Sequence, residues 1–219
     1  MINQIIRLTL IPFSIFFISW TKPPINQSEP TKTTMMSRKE IHDYFSNKNN
    51  DLNEIEGLWS LGVIRDLYEN GKRVTSESEP HMMGLAIVKD GGLFRVHDVN
   101  GAETDFIATF TETDESDTYA YQCYFTETND TVNTTARFSN NSFLQYEYDS
   151  PQGVMMKYYY KPGTDNAEQV KKMIENNNLR LHWKFTWIKY KPSDSTHPQW
   201  QILNGWDSDF PTIAKPFRF

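Results

Sequence analysis

The run Leu179-Arg180-Leu181-His182-Trp183-Lys184-Phe185-Thr186-Trp187 alternates apolar and polar residues without a break. A two-residue period puts Leu179, Leu181, Trp183, Phe185 and Trp187 on one face and Arg180, His182, Lys184 and Thr186 on the other, the pattern of a strand with one buried side. It is the most regular alternation in the chain and the last strand of a long series. The first strand carries Trp59, Leu61 and Val63 between Ser60 and Gly62. If the segment around Trp183 zips alongside the one around Trp59, the series closes into a tube; if the two edges lie apart, it is an open sandwich.

Working inward from these edges, turn signals recur at intervals of roughly ten residues, the spacing of an all-β barrel or sandwich. Asn70-Gly71 is a hairpin turn signal. Met82 to Lys89 and Leu93 to Val99 flank Asp90-Gly91-Gly92 and form the clearest hairpin. Asn100-Gly101 turns the chain into Asp105 to Thr113, where Phe106, Ala108 and Phe110 share a face. Tyr119, Tyr121, Cys123 and Phe125 line one side of the next strand. Thr131 to Phe138 and Phe143 to Tyr148 pair across Ser139 to Ser142, and Ser150-Pro151-Gln152-Gly153 leads into a strand from Val154 to Lys161. Thr164 or Asp165 then caps a helix through Asn176 with Val170, Met173 and Ile174 as its apolar stripe. The expectation is all-β with minor α: an eight- to nine-stranded antiparallel up-and-down β-barrel with a helix before the last strand.

Gly57-Leu58-Trp59 at the first strand, together with this element order from Ile55 to Tyr190, resembles the lipocalins and related calycin barrels. The family's Thr-Asp-Tyr signature is not evident, and with Cys123 as the single cysteine no intrachain disulfide can form. Arg180 is the candidate for the family's late arginine, which packs over the strand-one Trp, although the alignment is too loose to carry the role over. The resemblance implies transport or sequestration of a small apolar molecule rather than catalysis.

Upstream, Ser37 with Glu40 three residues on reads as a capping box for a short helix to about Phe45, with Ile41, Tyr44 and Phe45 on its apolar face. Such a helix could close one end of the barrel. Met1 to Arg7 and the apolar run Leu8 to Trp20 read as a signal peptide, because the run is too short for the roughly 20 residues of a membrane span. The expected organisation is a signal peptide or anchor at 1–21, a linker with a short helix at 22–50, the lipocalin-like barrel at 51–191 and an aromatic extension at 192–219 packed on the barrel. A cleaved signal makes the protein secreted or periplasmic; an uncleaved one anchors it to a membrane. Asn26, Asn129, Asn133 and Asn140 head glycosylation triplets, a pattern common by chance in a polar sequence.

Composition narrows the function. With 22 Lys and Arg against 28 Asp and Glu the formal charge is −6, which argues against nucleic acid as a partner. Cys123 alone supports no Cys-based zinc site and reads as a small core residue. His42, His81, His97, His182 and His197 lack any metal-binding spacing, and His97 and Asp98, as strand neighbours, point to opposite faces. Glu77 and Glu79 fall in a Ser-rich stretch that reads as a solvated loop. Asp207-Ser208-Asp209 lacks the glycine and later glutamate of a calcium loop, and no serine sits in a nucleophile elbow. No cofactor or catalytic residue is therefore assigned.

An eight-stranded barrel is wide enough to be filled by side chains or to hold one small ligand. Trp59, Phe106, Tyr121, Tyr146, Tyr158 and Trp183 are the candidate ligand-binding residues, and equally the candidate filling of a packed core. The many tyrosine hydroxyls favour a wet or occupied cavity, and Met82, Met83, Met155 and Met156 can adapt to an irregular guest. The expected partner is a small hydrophobic ligand. Two rival readings stand beside it: an interaction module that captures a protein through the aromatic tail, and a barrel enzyme whose site is assembled from distant strands. A terminal Phe also suggests an outer-membrane barrel, but Pro211 and Pro216 interrupt the final strand such a barrel needs.

Overall fold

The computed structural model describes residues 35–47 and 52–190. The expected export segment, most of the linker, the Asn26 triplet, His197, Asp207-Ser208-Asp209 and the aromatic tail lie outside the described residues. The elements are α1 (Arg38–Asn47), β1 (Gly57–Glu69), β2 (Lys72–Asp90), β3 (Leu93–Asp98), β4 (Phe106–Glu112), β5 (Thr118–Phe125), β6 (Asp130–Ser139), β7 (Phe143–Asp149), α2 (Gln152–Tyr159), α3 (Ala167–Glu175) and β8 (Leu179–Lys189). Each strand pairs antiparallel with the next, and β8 returns to β1, closing an eight-stranded barrel. Trp59 lies opposite Lys189, Leu61 opposite Trp187 and Arg65 opposite Trp183. The zip between first and last strands is made along the whole of β8.

Alternation along these strands sends one set of side chains inward. Trp59, Leu61 and Val63 of β1, Leu85 and Ile87 of β2, Phe110 of β4, Tyr121 and Cys123 of β5, and Leu181, Trp183, Phe185 and Trp187 of β8 share one core. Asn70 and Gly71, at φ 50° and 77°, form the left-handed turn that joins β1 to β2.

Four local expectations are corrected. Residues predicted as a strand from Val154 to Lys161 are helical over Gln152–Tyr159, so β7 pairs directly with β8. An unpatterned apolar run of that length fits a strand or a buried helix equally by period, and here Val154 and Met155 turn inward together from a helix. Second, β2 is 19 residues long and takes in Glu77 and Glu79, which lie in a strand and not a loop. Its polar first half lacks apolar alternation and takes its pairing from Ile64 to Glu69 of β1. The register slips where Pro80 interrupts β2, and Gly62 makes room there: a Cβ on it would meet the Pro80 carbonyl oxygen at 2.8 Å. Third, α3 begins after Asn166, while Thr164 Oγ1 donates to the Lys161 carbonyl (2.9 Å) in the preceding turn. It ends with Asn177 at φ 56°, and Asn178 N–H donates to Met173 O at 2.7 Å.

The fourth correction concerns α1. Its capping box is present: Ser37 N–H and Oγ both donate to Glu40 Oε2 at 2.7 Å, and Glu40 N–H donates to Ser37 Oγ at 3.3 Å. The helix does not close an end of the barrel. It lies on the outer wall, where Ile41 and Phe45 are buried against Leu58, Ala86, Val88 and Val99. Leu58, Ala86 and Val88 are the outward neighbours of inward strand positions, and Val99 follows β3, so this patch of wall is apolar on both sides.

His97 anchors the start of this helix, its Nδ1 accepting from Met36 N–H at 3.2 Å, which requires that nitrogen to be unprotonated. Burial lowers the His97 pKa from the ordinary 6.5; Arg95 lowers it further, and Asp90 and Glu40 oppose the shift. A depressed histidine binds fewer protons folded than unfolded, so its contribution is complete above about pH 6.5 and is lost as pH falls through the folded value. Thermal unfolding measured between pH 7.5 and 5 should show a drop in midpoint that His97→Gln reduces. An identical pH profile in the variant would refute the role.

Candidate functional site

Aromatic rings fill the middle of the barrel. Tyr121 stacks on Tyr146 with centroids 4.1 Å apart, Tyr146 on Phe185 at 4.9 Å, and Tyr148 on Phe185 at 5.2 Å. Trp187 crosses Phe110 edge-on at 5.6 Å and Trp59 at 6.5 Å. The buried hydroxyls find partners within this stack: Trp187 Nε1 donates to Tyr146 Oη at 3.1 Å, and the Tyr121 and Tyr146 hydroxyls bond each other. Burial pushes the Cys123 thiol up to about 12, with a hydrogen bond from Tyr121 opposing the shift. A thiol held protonated behind packed rings is a core group, not a nucleophile.

The two ends of the barrel differ. At the Trp59 end, Ile55 is fully buried and its carbonyl accepts from Trp59 Nε1 at 3.0 Å. The Lys189 ammonium lies 5.6 Å from the Trp59 ring and also donates to Glu54 O at 2.5 Å. Arg180 is elsewhere, on the outer wall, stacked on Tyr68 at 4.5 Å and bonded to Asp149 at 2.8 Å.

At the opposite end β1, β2 and β8 project toward α2, α3 and the loop between them, and here a cavity of about 420 Å³ opens. That volume falls in the lower part of the roughly 300–1,000 Å³ range of small-molecule sites. Leu67, Leu179, Leu181, Ala167 and Val170 make an apolar wall. Arg65, Glu77, Tyr159 and Lys161 make a polar one. Alternation explains the placing, because Arg65 and Leu67 continue the inward face of Trp59 to Val63, and Glu77 and Thr75 are their cross-strand partners on β2. Arg65 Nη2 is 3.2 Å from Glu79 and 3.7 Å from Glu77. Burial raises the Tyr159 pKa, Glu77 adds to the rise and Arg65 opposes it, so all three bear on the same spot.

The residues singled out from sequence are distributed among these places. Trp59, Tyr121 and Tyr146 belong to the central stack. Phe106, Tyr158 and Trp183 border a second, much smaller cavity of about 20 Å³ beneath α2. Tyr158, on a helix and not a strand, also lines the 420 Å³ cavity. A Lys157–Glu127 ion pair ties α2 to the turn between β5 and β6. Sequence reading missed Arg65, Lys161, Leu179 and Leu181 as cavity residues. For Arg65 the signal was present: it extends the inward period of β1.

Away from the cavity, His182 Nδ1 is 2.8 Å from Asp149 on the outer wall. Among the described residues no three His, Cys, Asp or Glu side chains are grouped to hold a metal ion. Fold and cavity define the class: an antiparallel eight-stranded closed β-barrel with a helix-lined cavity at one end. No protein-family model matches the chain, and no match emerges among curated proteins or solved structures.

Proposed function

We propose that this chain is an exported, lipocalin-like carrier that holds one small, largely hydrophobic molecule at the helical end of its barrel. The observation that carries the reading is the 420 Å³ cavity, whose one wall is Leu67, Leu179, Leu181, Ala167 and Val170. Apolar surface on a ligand is driven into such a site by its removal from water. The ligand enters beside Tyr158; Trp183, the cross-strand partner of Arg65, stands on the core side, and Phe106 flanks α2. Trp59, Tyr121 and Tyr146 fill the central stack and leave the helical end as the place for a guest. Gly57-Leu58-Trp59 at the head of β1 supports the family likeness, with Lys189 over Trp59 where the family places an arginine.

Native mass spectrometry of purified protein should show a bound lipid-like mass that organic extraction removes. Val170→Trp, which fills the cavity from α3, should lose that mass while keeping the β-sheet circular dichroism. Protein that carries no adduct and shows no affinity for the uncharged probe N-phenyl-1-naphthylamine would overturn the reading.

A further inference from the structure

Four charged side chains in and beside the cavity balance. Arg65 and Lys161 supply two cations; Glu77, also in the lining, and Glu79, on the same inward face of β2, supply two carboxylates. The Arg65 side chain is 16% exposed and lies between carboxylates that are 70% and 38% exposed. Lys161 is exposed at the rim, where water and salt screen it.

This arrangement discriminates against charge on the ligand. A ligand carboxylate reaching Arg65 meets Glu79 at 3.2 Å and Glu77 at 3.7 Å already in place, and must displace or repel them. A ligand ammonium finds Glu77 and Glu79 already neutralised by Arg65 and meets the like charge of the guanidinium beside them. Either charge therefore disturbs an ion-paired cluster without gaining a free partner, and the cost falls mainly on the 16%-exposed guanidinium, because Glu77 and Glu79 stay partly solvated. A hydroxyl or carboxamide avoids both costs. It can donate to Glu77 and accept from the guanidinium or the Tyr159 hydroxyl while the ion pairs stay closed. The apolar lining of Leu67, Leu179, Leu181, Ala167 and Val170 takes the rest of the molecule.

We infer that the cavity selects an uncharged amphiphile, an apolar body with one hydroxyl or carboxamide head set between Arg65, Glu77 and Tyr159. This rests on the carrier reading above. The test is calorimetric titration of the full chain at pH 7 with four compounds of one chain length: 1-decanol, decanamide, decanoate and decylammonium. The alcohol and the amide should bind about tenfold tighter than either ion. An ion that binds as tightly as the alcohol would overturn the inference and leave the carrier reading standing. Failure of all four, and of the uncharged probe N-phenyl-1-naphthylamine, would sink both. Glu77→Gln changes an exposed side chain and unbalances the charges toward positive, so it should shift the ranking toward decanoate by about tenfold. An unchanged ranking in that variant would also overturn the inference.

Discussion

Trp187→Ala should destabilise the protein by about 3–5 kcal/mol, the range for truncating a buried aromatic to alanine. The side chain is 1% exposed and stands where β8 has just closed on β1, opposite Leu61. Its ring touches Phe110, Trp59 and Tyr146, and its indole N–H is the donor to Tyr146 Oη. Alanine removes one of the two fully buried tryptophans of the central stack and leaves a buried phenol short of a partner. Urea unfolding read by circular dichroism would measure the loss. Trp187→Phe should fall in between, because it restores most of the volume but not the N–H. A cost below about 1 kcal/mol for the alanine variant would mean that the rings do not form one packed stack.

Glu56→Ala should cost about 2–4 kcal/mol through unsatisfied donors. Glu56 is 1% exposed at the entrance to β1. Its Oε1 accepts from the Tyr44 hydroxyl and, at 3.2 Å, from Lys89 N–H; its Oε2 accepts from Asn53 N–H at 2.8 Å. One carboxylate therefore ties α1, the lead-in to β1 and the end of β2 together. Removing it takes the side-chain acceptor from Asn53 N–H and from the Tyr44 hydroxyl, and leaves Lys89 N–H only its second acceptor, Tyr44 Oη at 3.2 Å, beside the outer apolar patch of Leu58, Ala86 and Val88. Amide hydrogen exchange should speed up at Asn53 and Lys89 as the midpoint falls. Exchange that stays slow at both would show that other groups hold this corner.

How far the fold could be read from sequence differs by element. The strands with a clean two-residue period, above all Leu179 to Trp187 and Tyr119 to Phe125, lie in the structure where the period puts them. The capping box at Ser37 and Glu40 marks the start of α1 equally well. The period is silent where residues are apolar on every side, as at Val154 to Tyr160, or polar on every side, as in the first half of β2. In those stretches the partner decides. Pairing with β1 makes a strand of Lys72 to Glu79, and cover over the barrel end makes a helix of Gln152 to Tyr159.

The cavity shows the same division. Tertiary pairing of β1 with β8 decided that the two edges meet and close the barrel. The sequence by itself determined an antiparallel all-β series whose first and last strands have matching apolar faces, because alternation and turn spacing are local properties. It also determined that aromatic rings would meet inside. Only the tertiary structure decided which rings pack solidly and where space remains. Arg65, Glu77, Lys161 and Val170 come from β1, β2, a loop and α3, and their neighbourhood depends on how far β1 and β2 run past the other strands and on where α2 and α3 settle. A cavity is what packing leaves over, and that remainder is set by contacts between distant segments, not by any local pattern.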